Sequence, residues 1–225
     1  MHFSDNVAQQ ILQRRSRLDI YDQLTPAKTA LVVVDMQNAF CAADSVMCVP
    51  DAAGIVDNIN TLAKSLRAAG GSVYWVKMQI ESEADWPRYL GDLVSRRENI
   101  DGIVQALSPR GSGTELFAPL DVQASDTQVP KNRFSAFLPK ACSLMEQLDR
   151  QGIDTVIITG TLTNVCSESS ARDAAMHDYK VLFVSDANAA RDPVAHRQSL
   201  ASIAQCFGDV RSTAEVVSLI EAGLR

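Results

Sequence analysis

The sequence predicts one α/β domain, in which helices cover both faces of a central, mostly parallel sheet and form a three-layer αβα sandwich. The chain has 225 residues, 46% hydrophobic and 21% charged, as expected of a single globular domain with a sizeable core. Its candidate strands are short β-branched runs such as residues 29–35, which are typical of strands buried on both faces. These runs alternate with amphipathic helical segments, and this alternation predicts parallel strand pairing.

The candidate elements follow one another in a regular order after residue 29. Residues 51–69 form a predicted helix, because apolar residues recur at helical spacing from Ile55 to Leu66 and Gly70 then ends it. We expect further strands at residues 72–77, near 128, and at 155–159, 180–184 and 209–211. Further helices are expected at about 138–151, 164–178, 193–207 and 213–222. Functional sites on such sheets lie beyond the carboxyl ends of the strands.

Two segments lie outside this alternation. Residues from about 1 to 25 form a predicted N-terminal helical extension, with Ile11 and Leu12 as its apolar contacts to the domain or to a second subunit. Residues from about 81 to 121 form an irregular insertion that contains Trp86 and several prolines and glycines. Because long irregular segments in compact domains are often functional, we expect the insertion to supply one wall of a pocket.

The charge distribution and the short apolar runs argue against several kinds of partner. Twenty-one basic and 27 acidic residues give a formal net charge of −6 without a basic stripe, which disfavours nucleic-acid binding. The longest apolar stretches have the length of strands, so none is expected to cross a bilayer. The first residues lack the basic start and apolar run of a signal peptide. We therefore predict a cytoplasmic protein with a small-molecule substrate and no membrane partner.

Five cysteines and three histidines limit the metal and disulfide chemistry of the chain. The odd number of thiols, without a Cys-x-x-Cys pair, argues against a disulfide framework, and the histidines lack the spacing of zinc ligands. We therefore predict no metal and no cofactor. Four thiols are expected to be small buried side chains, the usual role of an isolated cysteine: Cys41, Cys48, Cys142 and Cys206.

Cys166 differs from the other thiols because of its position. It follows the predicted strand 155–159 and falls in the first turn of the next helix, which Thr163 or Asn164 can cap. Unpaired backbone N–H groups and the helix dipole there favour a thiolate and can receive an oxyanion. Position alone leaves two alternatives open, a nucleophile and a buried structural thiol.

A nucleophilic cysteine needs a base, and the histidines are poor candidates. His2, His177 and His196 are all expected on the surface. An Asp–Lys pair is another way to activate a thiol. Asp35 ends the first strand and Lys131 follows the strand near residue 128, although each alone also fits a helix cap or a solvated charge.

Three segments at strand ends together resemble the isochorismatase-like cysteine hydrolase superfamily. They read Val34-Asp35-Met-Gln-Asn, Pro130-Lys131-x-Arg-Phe-Ser-Ala-Phe, and Gly160-x-x-Thr163-Asn-Val-Cys166 followed by Glu168-Ser-x-Ala-Arg-Asp. The resemblance extends from about residue 26 to residue 220. It implies a Rossmann-like hydrolase fold and, because relatives commonly assemble, a homo-oligomer such as a dimer or tetramer.

The resemblance also implies which residues carry the chemistry. Asp35, Lys131 and Cys166 would form a catalytic triad without a metal. A non-proline cis peptide between Thr161 and Leu162 would direct the N–H groups of Leu162 and Cys166 toward one oxyanion. Less specific candidates for substrate binding are Gln37, Asn38, Phe40, Trp86 and Arg133, of which Arg133 could bind a substrate carboxylate.

Departures from the family pattern narrow the implied activity. Ala39 replaces an acid that is often present in the first motif. The Asp-x-His metal signature of nicotinamidases is replaced by Lys77-Met-Gln-Ile-Glu81, which argues against metal binding and nicotinamidase activity. Cys166 argues against the vinyl ether hydrolysis of isochorismatases proper, which generally lack this cysteine.

These features predict a cysteine amidohydrolase that cleaves the C–N bond of a small linear amide or ureide. The motifs look most like those of ureidoacrylate amidohydrolases, with N-carbamoyl amidohydrolases as close neighbours. Two alternatives stay open, an isochorismatase-type vinyl ether hydrolase and a catalytically silent binding protein on the same fold.

Overall fold

The central sheet is assembled from six short strands. In the computed structural model, which describes residues 4–224, they are β1 (Thr29–Val34), β2 (Ser72–Met78), β3 (Thr127–Lys131), β4 (Thr155–Thr161), β5 (Lys180–Ala189) and β6 (Asp209–Arg211). All neighbouring strands are parallel, in the spatial order β3-β2-β1-β4-β5-β6. The predicted α/β class with its layered sheet is confirmed, and the sheet is parallel throughout.

Helices cover both faces of this sheet. In the described part of the chain, the α-helices are α1 (Asp5–Arg15), α2 (Asn38–Cys41), α3 (Val56–Ala68), α4 (Arg97–Leu107), α5 (Leu144–Arg150), α6 (Glu168–Met176), α7 (Pro193–Cys206) and α8 (Thr213–Ala222). Helices α3 and α8 pack on one face, and α5, α6 and α7 pack on the other, where α1 lies against α7. Of the two apolar contacts expected from α1, Ile11 is buried, whereas Leu12 is 44% exposed. None of the described helices combines the length and hydrophobicity that a membrane span requires.

Strand β1 separates the two halves of the hydrophobic core. Leu31 and Val33 belong to the half beneath α3 and α8, whereas Ala30, Val32 and Val34 belong to the opposite half. Successive side chains of a strand point to opposite faces, so a strand covered on both sides must be apolar throughout. The continuous β-branched run of β1 therefore places it at the centre of the sheet.

Strand β4 approaches the end of β1 closely at Gly160. A Cβ atom at this position would lie 2.0 Å from the carbonyl oxygen of Val34, and the φ angle of Gly160 is +114°. Side chains other than hydrogen rarely tolerate this backbone conformation. The pairing of β4 with β5 also shifts register between Ile158 and Gly160, as it does at a β-bulge. Gly160 thereby lets the chain leave β4 directly beside the end of β1.

Gly160→Ala is expected to lower the free energy of unfolding by about 3 kcal/mol or more, because overpacking and an unfavourable φ act together. Urea unfolding followed by circular dichroism measures this loss. Gly152→Ala is a matched control, since Gly152 also has a positive φ of +67° but no atom within 4 Å of the added Cβ. We expect the control to lose only about 1–2 kcal/mol. Equal losses in the two variants would contradict the steric argument.

Two predicted segments differ from the structure. The helix expected at about 138–151 begins only at Leu144, because Lys140 adopts a left-handed φ of +69° and Cys142 pairs with Lys131 in an antiparallel bridge. The insertion at 81–121 contains helix α4 and a π-helical segment, Arg88–Val94. Its side chains Leu90, Ile100 and Leu107 are buried in the core. The insertion is therefore part of the packed domain.

Candidate active site

The strand order of the sheet reverses between β1 and β4, and two of the predicted catalytic residues follow these strands. From β1 the first half of the sheet extends to β2 and β3, and from β4 the second half extends to β5 and β6. The connections at the carboxyl ends of β1 and β4 therefore diverge and leave a crevice, the usual ligand position in such sheets. Asp35 follows β1 directly, and Cys166 lies beyond the end of β4.

Lys131 reaches Asp35 from the end of β3, two strands away from β1. Two strand spacings are roughly 10 Å, and the side chains of Lys131 and Asp35 together span this distance. The Lys131 ammonium donates to Asp35 Oδ2 at 2.7 Å and to the Arg133 carbonyl at 3.1 Å, and it lies 3.5 Å from Met78 Sδ. Both charged side chains are buried, with exposed fractions of 0% and 1%. The structure thus brings Asp35 and Lys131 into direct contact.

Burial and mutual attraction act in opposite directions on the pKa values of this pair. Burial raises the pKa of Asp35 above its usual value, and the positive charge of Lys131 opposes the rise only in part. Burial alone would lower the pKa of Lys131, but the negative charge of Asp35, with a further contribution from Cys166, outweighs burial and raises this pKa. Lys131 therefore carries its proton at neutral pH, and Asp35 is a stronger base than an exposed aspartate.

Cys166 lies on a π-helical turn, Thr163–Ser167, that leads into α6. Its side chain is buried, with 6% exposed, and its thiol interacts with both Lys131 and Asp35. Burial raises the pKa of the thiol, Lys131 opposes this rise, and the charge of Asp35 adds to it. The thiolate expected from a helix N-terminus is therefore not favoured in the free protein, because burial disfavours the charged form. The thiol needs a neighbouring base.

Asp35 has a free oxygen for this purpose. Its Oδ2 atom binds Lys131, whereas Oδ1 is buried and has no hydrogen-bond partner of normal geometry among residues 4–224. The Cys166 thiol interacts with the same carboxylate, so Oδ1 is the atom left to accept its proton. Asp35 also has a positive φ of 54°, an uncommon backbone state that is concentrated at functional sites.

The chain between β4 and Cys166 contains a cis peptide bond between Thr161 and Leu162. Thr161 is fully buried, and its hydroxyl donates to the Asp35 carbonyl at 3.3 Å. The carbonyl of Leu162 accepts the N–H groups of Val165 and Ser167 at 3.0 and 3.1 Å. These bonds connect the Thr161–Leu162 segment to Asp35 and to the turn that carries Cys166. The role of this segment toward an oxyanion stays a prediction.

Three of the predicted pocket residues near β1 contact the protein's own chain. The Gln37 amide donates to the carbonyls of Met78 and Gly113 and accepts the N–H of Met78, so its polar atoms are all engaged. Asn38 donates to another carbonyl of the insertion at 3.0 Å. Phe40 is 7% exposed and packs in the hydrophobic core. Gln37 and Asn38 thus connect the insertion to the end of β1. Contact of all three residues with substrate stays a prediction.

The insertion and the loop after Lys131 meet in an aromatic cluster formed by Trp86, Tyr89 and Phe134. The ring centroids lie 4.5, 4.7 and 5.2 Å apart, which is typical of favourable aromatic pairs. Arg133 stacks over Trp86 at 4.9 Å and forms no ion pair with a described carboxylate. Burial raises the pKa of Tyr89. The cluster adjoins Lys131, because the carbonyl of Arg133, next to Phe134, accepts from the Lys131 ammonium. Trp86 and Arg133, both predicted from the sequence, are thus neighbours.

Several neighbours of the site are not among the residues predicted from the sequence. Tyr89 is one of them, and its spacing of three residues from Trp86 was the available signal. His196, expected on the surface, is half-buried, and its Nδ1 lies 2.9 Å from the Thr163 hydroxyl. His177 is exposed as expected, and His2 lies outside the described residues.

The other four thiols have different environments. Cys41 is buried and Cys48 and Cys142 are half-buried, but Cys206 is exposed. The prediction of a buried role is therefore wrong for Cys206, because this residue ends α7 on the surface of the domain. Among residues 4–224, no group of three or more histidine, cysteine or acidic side chains is arranged to hold a metal ion.

Comparison with known proteins assigns the family. Residues 29–215 match the model of the isochorismatase domain. A ureidoacrylate amidohydrolase, RutB, of Acinetobacter baylyi is 31% identical over 216 residues, which cover 88% of this chain and 86% of the relative. Nicotinamidase 3 of Arabidopsis thaliana is 31% identical over 180 residues, which cover 79% of this chain and 81% of the relative.

A solved structure agrees with this assignment. The crystal structure of a cysteine hydrolase from Pseudomonas syringae pv. phaseolicola 1448A superimposes with a TM-score of 0.80 and 34% identity, covering 89% of this chain and 95% of that chain. Of the two curated relatives described above, one is an amidohydrolase by name and the other is a nicotinamidase. The resemblance predicted from the motifs is therefore confirmed, and the chain belongs to the isochorismatase family of cysteine hydrolases.

Proposed function

We propose that this chain is a cysteine-dependent amidohydrolase, which cleaves the C–N bond of a small linear amide or ureide through an acyl-enzyme on Cys166. The observation that carries the proposal is the buried Lys131–Asp35 ion pair of 2.7 Å, which also interacts with the Cys166 thiol. Desolvation offsets much of the attraction in a buried ion pair, so such a pair contributes little to stability. Beside a thiol in a ligand crevice, the same pair can serve proton transfer.

In the first half-reaction, the thiol proton moves to Asp35 as a C–S bond forms. Asp35 Oδ1 accepts the proton while Sγ attacks the carbonyl carbon, and the Lys131 ammonium stabilises the developing thiolate. Negative charge then collects on the former carbonyl oxygen, for which the N–H groups of Leu162 and Cys166 are the proposed donors. The C–N bond breaks as Asp35 returns the proton to the leaving nitrogen. The products of this step are ammonia or an amine and a thioester on Cys166.

In the second half-reaction, water cleaves the thioester. Asp35 accepts a proton from water, the resulting hydroxide adds to the acyl carbon, and the departing Cys166 sulfur recovers the proton from Asp35. An amide substrate yields a carboxylic acid, whereas a carbamoyl thioester yields carbamic acid, which decomposes to carbon dioxide and ammonia. Each group of the triad thus ends in its starting protonation state.

The side chains around the triad favour a planar substrate that carries a carboxylate. The aromatic cluster offers flat apolar surface, and Arg133 offers a guanidinium without an acidic partner, which suits a bidentate carboxylate contact. Ureidoacrylate combines a conjugated ureide with a carboxylate, and the name of the RutB relative supports this substrate class. We therefore favour carboxylated ureides of the ureidoacrylate or N-carbamoyl type over uncharged carboxamides.

A substrate panel tests the proposal. Ammonia release is measured with ureidoacrylate, N-carbamoylglycine, its uncharged methyl ester and nicotinamide, and pyruvate release is measured with isochorismate. We expect ammonia from the two carboxylated ureides, with a higher kcat/KM than for the methyl ester or nicotinamide. Pyruvate from isochorismate without ammonia from any amide would instead support a vinyl ether hydrolase. Equal kcat/KM for N-carbamoylglycine and its methyl ester would contradict carboxylate recognition by Arg133.

The reaction is expected to slow at acid pH as Asp35 becomes protonated. Only the carboxylate can accept the thiol proton, and burial raises its pKa, so kcat/KM should fall with decreasing pH at a midpoint above about pH 4. The pH profile of kcat/KM measures this, because it reports on the free enzyme. His196 is the nearby histidine, and burial lowers its pKa, so His196→Gln is the control. If kcat/KM of His196→Gln no longer fell with decreasing pH, the fall would be assigned to His196 rather than to Asp35.

A further inference from the structure

We propose that Ser170 is a positioning residue that fixes the Cys166 nucleophile relative to the loop carrying Lys131. The inference rests on the proposed function, in which Cys166 and Lys131 act on the same substrate. Ser170 lies on α6, four residues after Cys166, and is fully buried. The sequence motif that follows Cys166 leaves the residue at position 170 unspecified.

The Ser170 hydroxyl joins two separate parts of the site. It donates to the Cys166 carbonyl at 2.7 Å and accepts the Ala136 N–H at 3.0 Å. A serine hydroxyl has a single proton, and here that proton is used by the nucleophile's own carbonyl. The Ser170 oxygen can still accept a hydrogen bond, and it accepts the one from the Ala136 N–H. The orientation of the hydroxyl is therefore set from both sides.

Ala136 belongs to the loop that also holds the Lys131 ammonium. The Arg133 carbonyl of this loop accepts from Lys131 Nζ at 3.1 Å, and the Ser135 hydroxyl accepts the Phe137 N–H at 3.1 Å. Residues 135–137 have exposed fractions of 6%, 0% and 1%. Hydrogen bonds therefore connect Lys131 to this loop, and the loop through Ser170 to Cys166.

The contact with Ala136 distinguishes Ser170 from an ordinary helical serine. Serines within helices commonly donate to the carbonyl four residues earlier, and the bond to Cys166 alone would be such a case. The bond from Ala136 joins residues 34 positions apart and connects α6 to the loop after β3. An apolar side chain in place of Ser170 would leave this buried N–H without a partner.

Loss of the Ser170 hydroxyl is expected to lower kcat by roughly 10- to 100-fold, because a small displacement of a reacting group has effects of this size. KM should change by less than about 3-fold, because Ser170 is fully buried and is expected to affect the reacting geometry rather than substrate binding. A loss of folded protein would also lower the apparent kcat at constant KM, so kcat is expressed per folded protein and the reactivity of Cys166 is measured as a second readout.

Two substitutions of similar shape form the decisive comparison. Ser170→Thr keeps the hydroxyl, whereas Ser170→Val has nearly the same shape without it. Ser170→Ala avoids the added methyl group if the larger side chains prevent folding, and Ser169→Ala is the control on the neighbouring residue. For each folded variant, kcat and KM are measured with the ureide that the wild type hydrolyses. The rate of Cys166 alkylation by iodoacetamide, relative to exposed Cys206, gives a readout that needs no substrate.

We expect lower kcat and slower Cys166 alkylation in Ser170→Val and Ser170→Ala, and values near the wild type in Ser170→Thr and Ser169→Ala. Wild-type kcat and alkylation in Ser170→Ala would overturn the proposal. Equal losses in the threonine and valine variants would also overturn it, because shape rather than the hydroxyl would then matter. If the wild type hydrolyses no amide, the proposed function fails, while the alkylation ratios still decide the role of Ser170.

Discussion

Replacing Cys166 with alanine is expected to lower kcat by about 10³-fold or more, while the melting temperature stays within about 4 °C of the wild type. Without Sγ no acyl-enzyme can form, and the change from cysteine to alanine removes only one buried heavy atom. We expect the Asp35–Lys131 ion pair, 2.7 Å in the wild type, to persist in the variant, because that contact does not involve Cys166. Ammonia release and thermal unfolding by circular dichroism measure the two effects.

Cys41→Ala is a matched control for this substitution. Cys41 is also buried, with 4% exposed against 6% for Cys166, but its sulfur contacts Met36 at 4.0 Å rather than the ion pair. We expect the Cys41 variant to keep kcat within about 3-fold of the wild type. Turnover near the wild-type rate in Cys166→Ala would reject the nucleophilic role. Equal losses in the two cysteine variants would attribute the effect to packing.

Lys131→Met is expected to reduce both stability and activity. Methionine keeps most of the length of the side chain but leaves the buried Asp35 carboxylate without its counter-charge, which typically costs about 3–5 kcal/mol. Without Lys131 the pKa of Asp35 would rise further, because the nearest positive charge that lowers it is lost. A larger fraction of the aspartate would then be protonated at a given pH and unable to act as a base. We expect kcat to fall by about 10²-fold or more.

The double variant Asp35→Asn/Lys131→Met separates the effect on stability from the effect on catalysis. It removes both buried charges, so we expect much of the lost stability to return while the activity stays absent. Urea unfolding and ammonia release measure the two quantities in the wild type, the single variant and the double variant. Activity in the double variant would contradict proton transfer through Asp35. A Lys131→Met protein as stable as the wild type would contradict a charged pair in the folded state.

The sheet and the proposed triad could be predicted from the sequence because their signals are local. The β-branched run at 29–34 identifies a strand buried on both faces, and the structure places β1 in the middle of the sheet. Asp35, Lys131 and Cys166 each lie at or just beyond a strand end. Parallel pairing brings such ends to the same edge of the sheet, so a linear pattern implies spatial proximity.

The surroundings of the triad could not be predicted in the same way, because their contacts join segments that are distant in the sequence. Trp86 meets Phe134 across two loops without a repeating pattern. His196 lies on a polar turn of α7, which favours an exposed position, yet its contact with Thr163 half-buries it. Ser170 has the local sequence of an ordinary helical serine, and only the folded chain shows its bond with Ala136. Tertiary packing decides all three positions.

Strands β1 and β4 are paired along both edges and covered by helices on both faces. Backbone amides in such strands exchange their hydrogens with solvent only when the whole domain opens, whereas a terminal helix such as α1 or an edge strand such as β6 can fray on its own. Asp35 and the turn that carries Cys166 continue directly from these two innermost strands. Local fluctuations of the peripheral elements therefore do not change the geometry between Asp35 and Cys166. This geometry is lost only when the whole domain unfolds cooperatively.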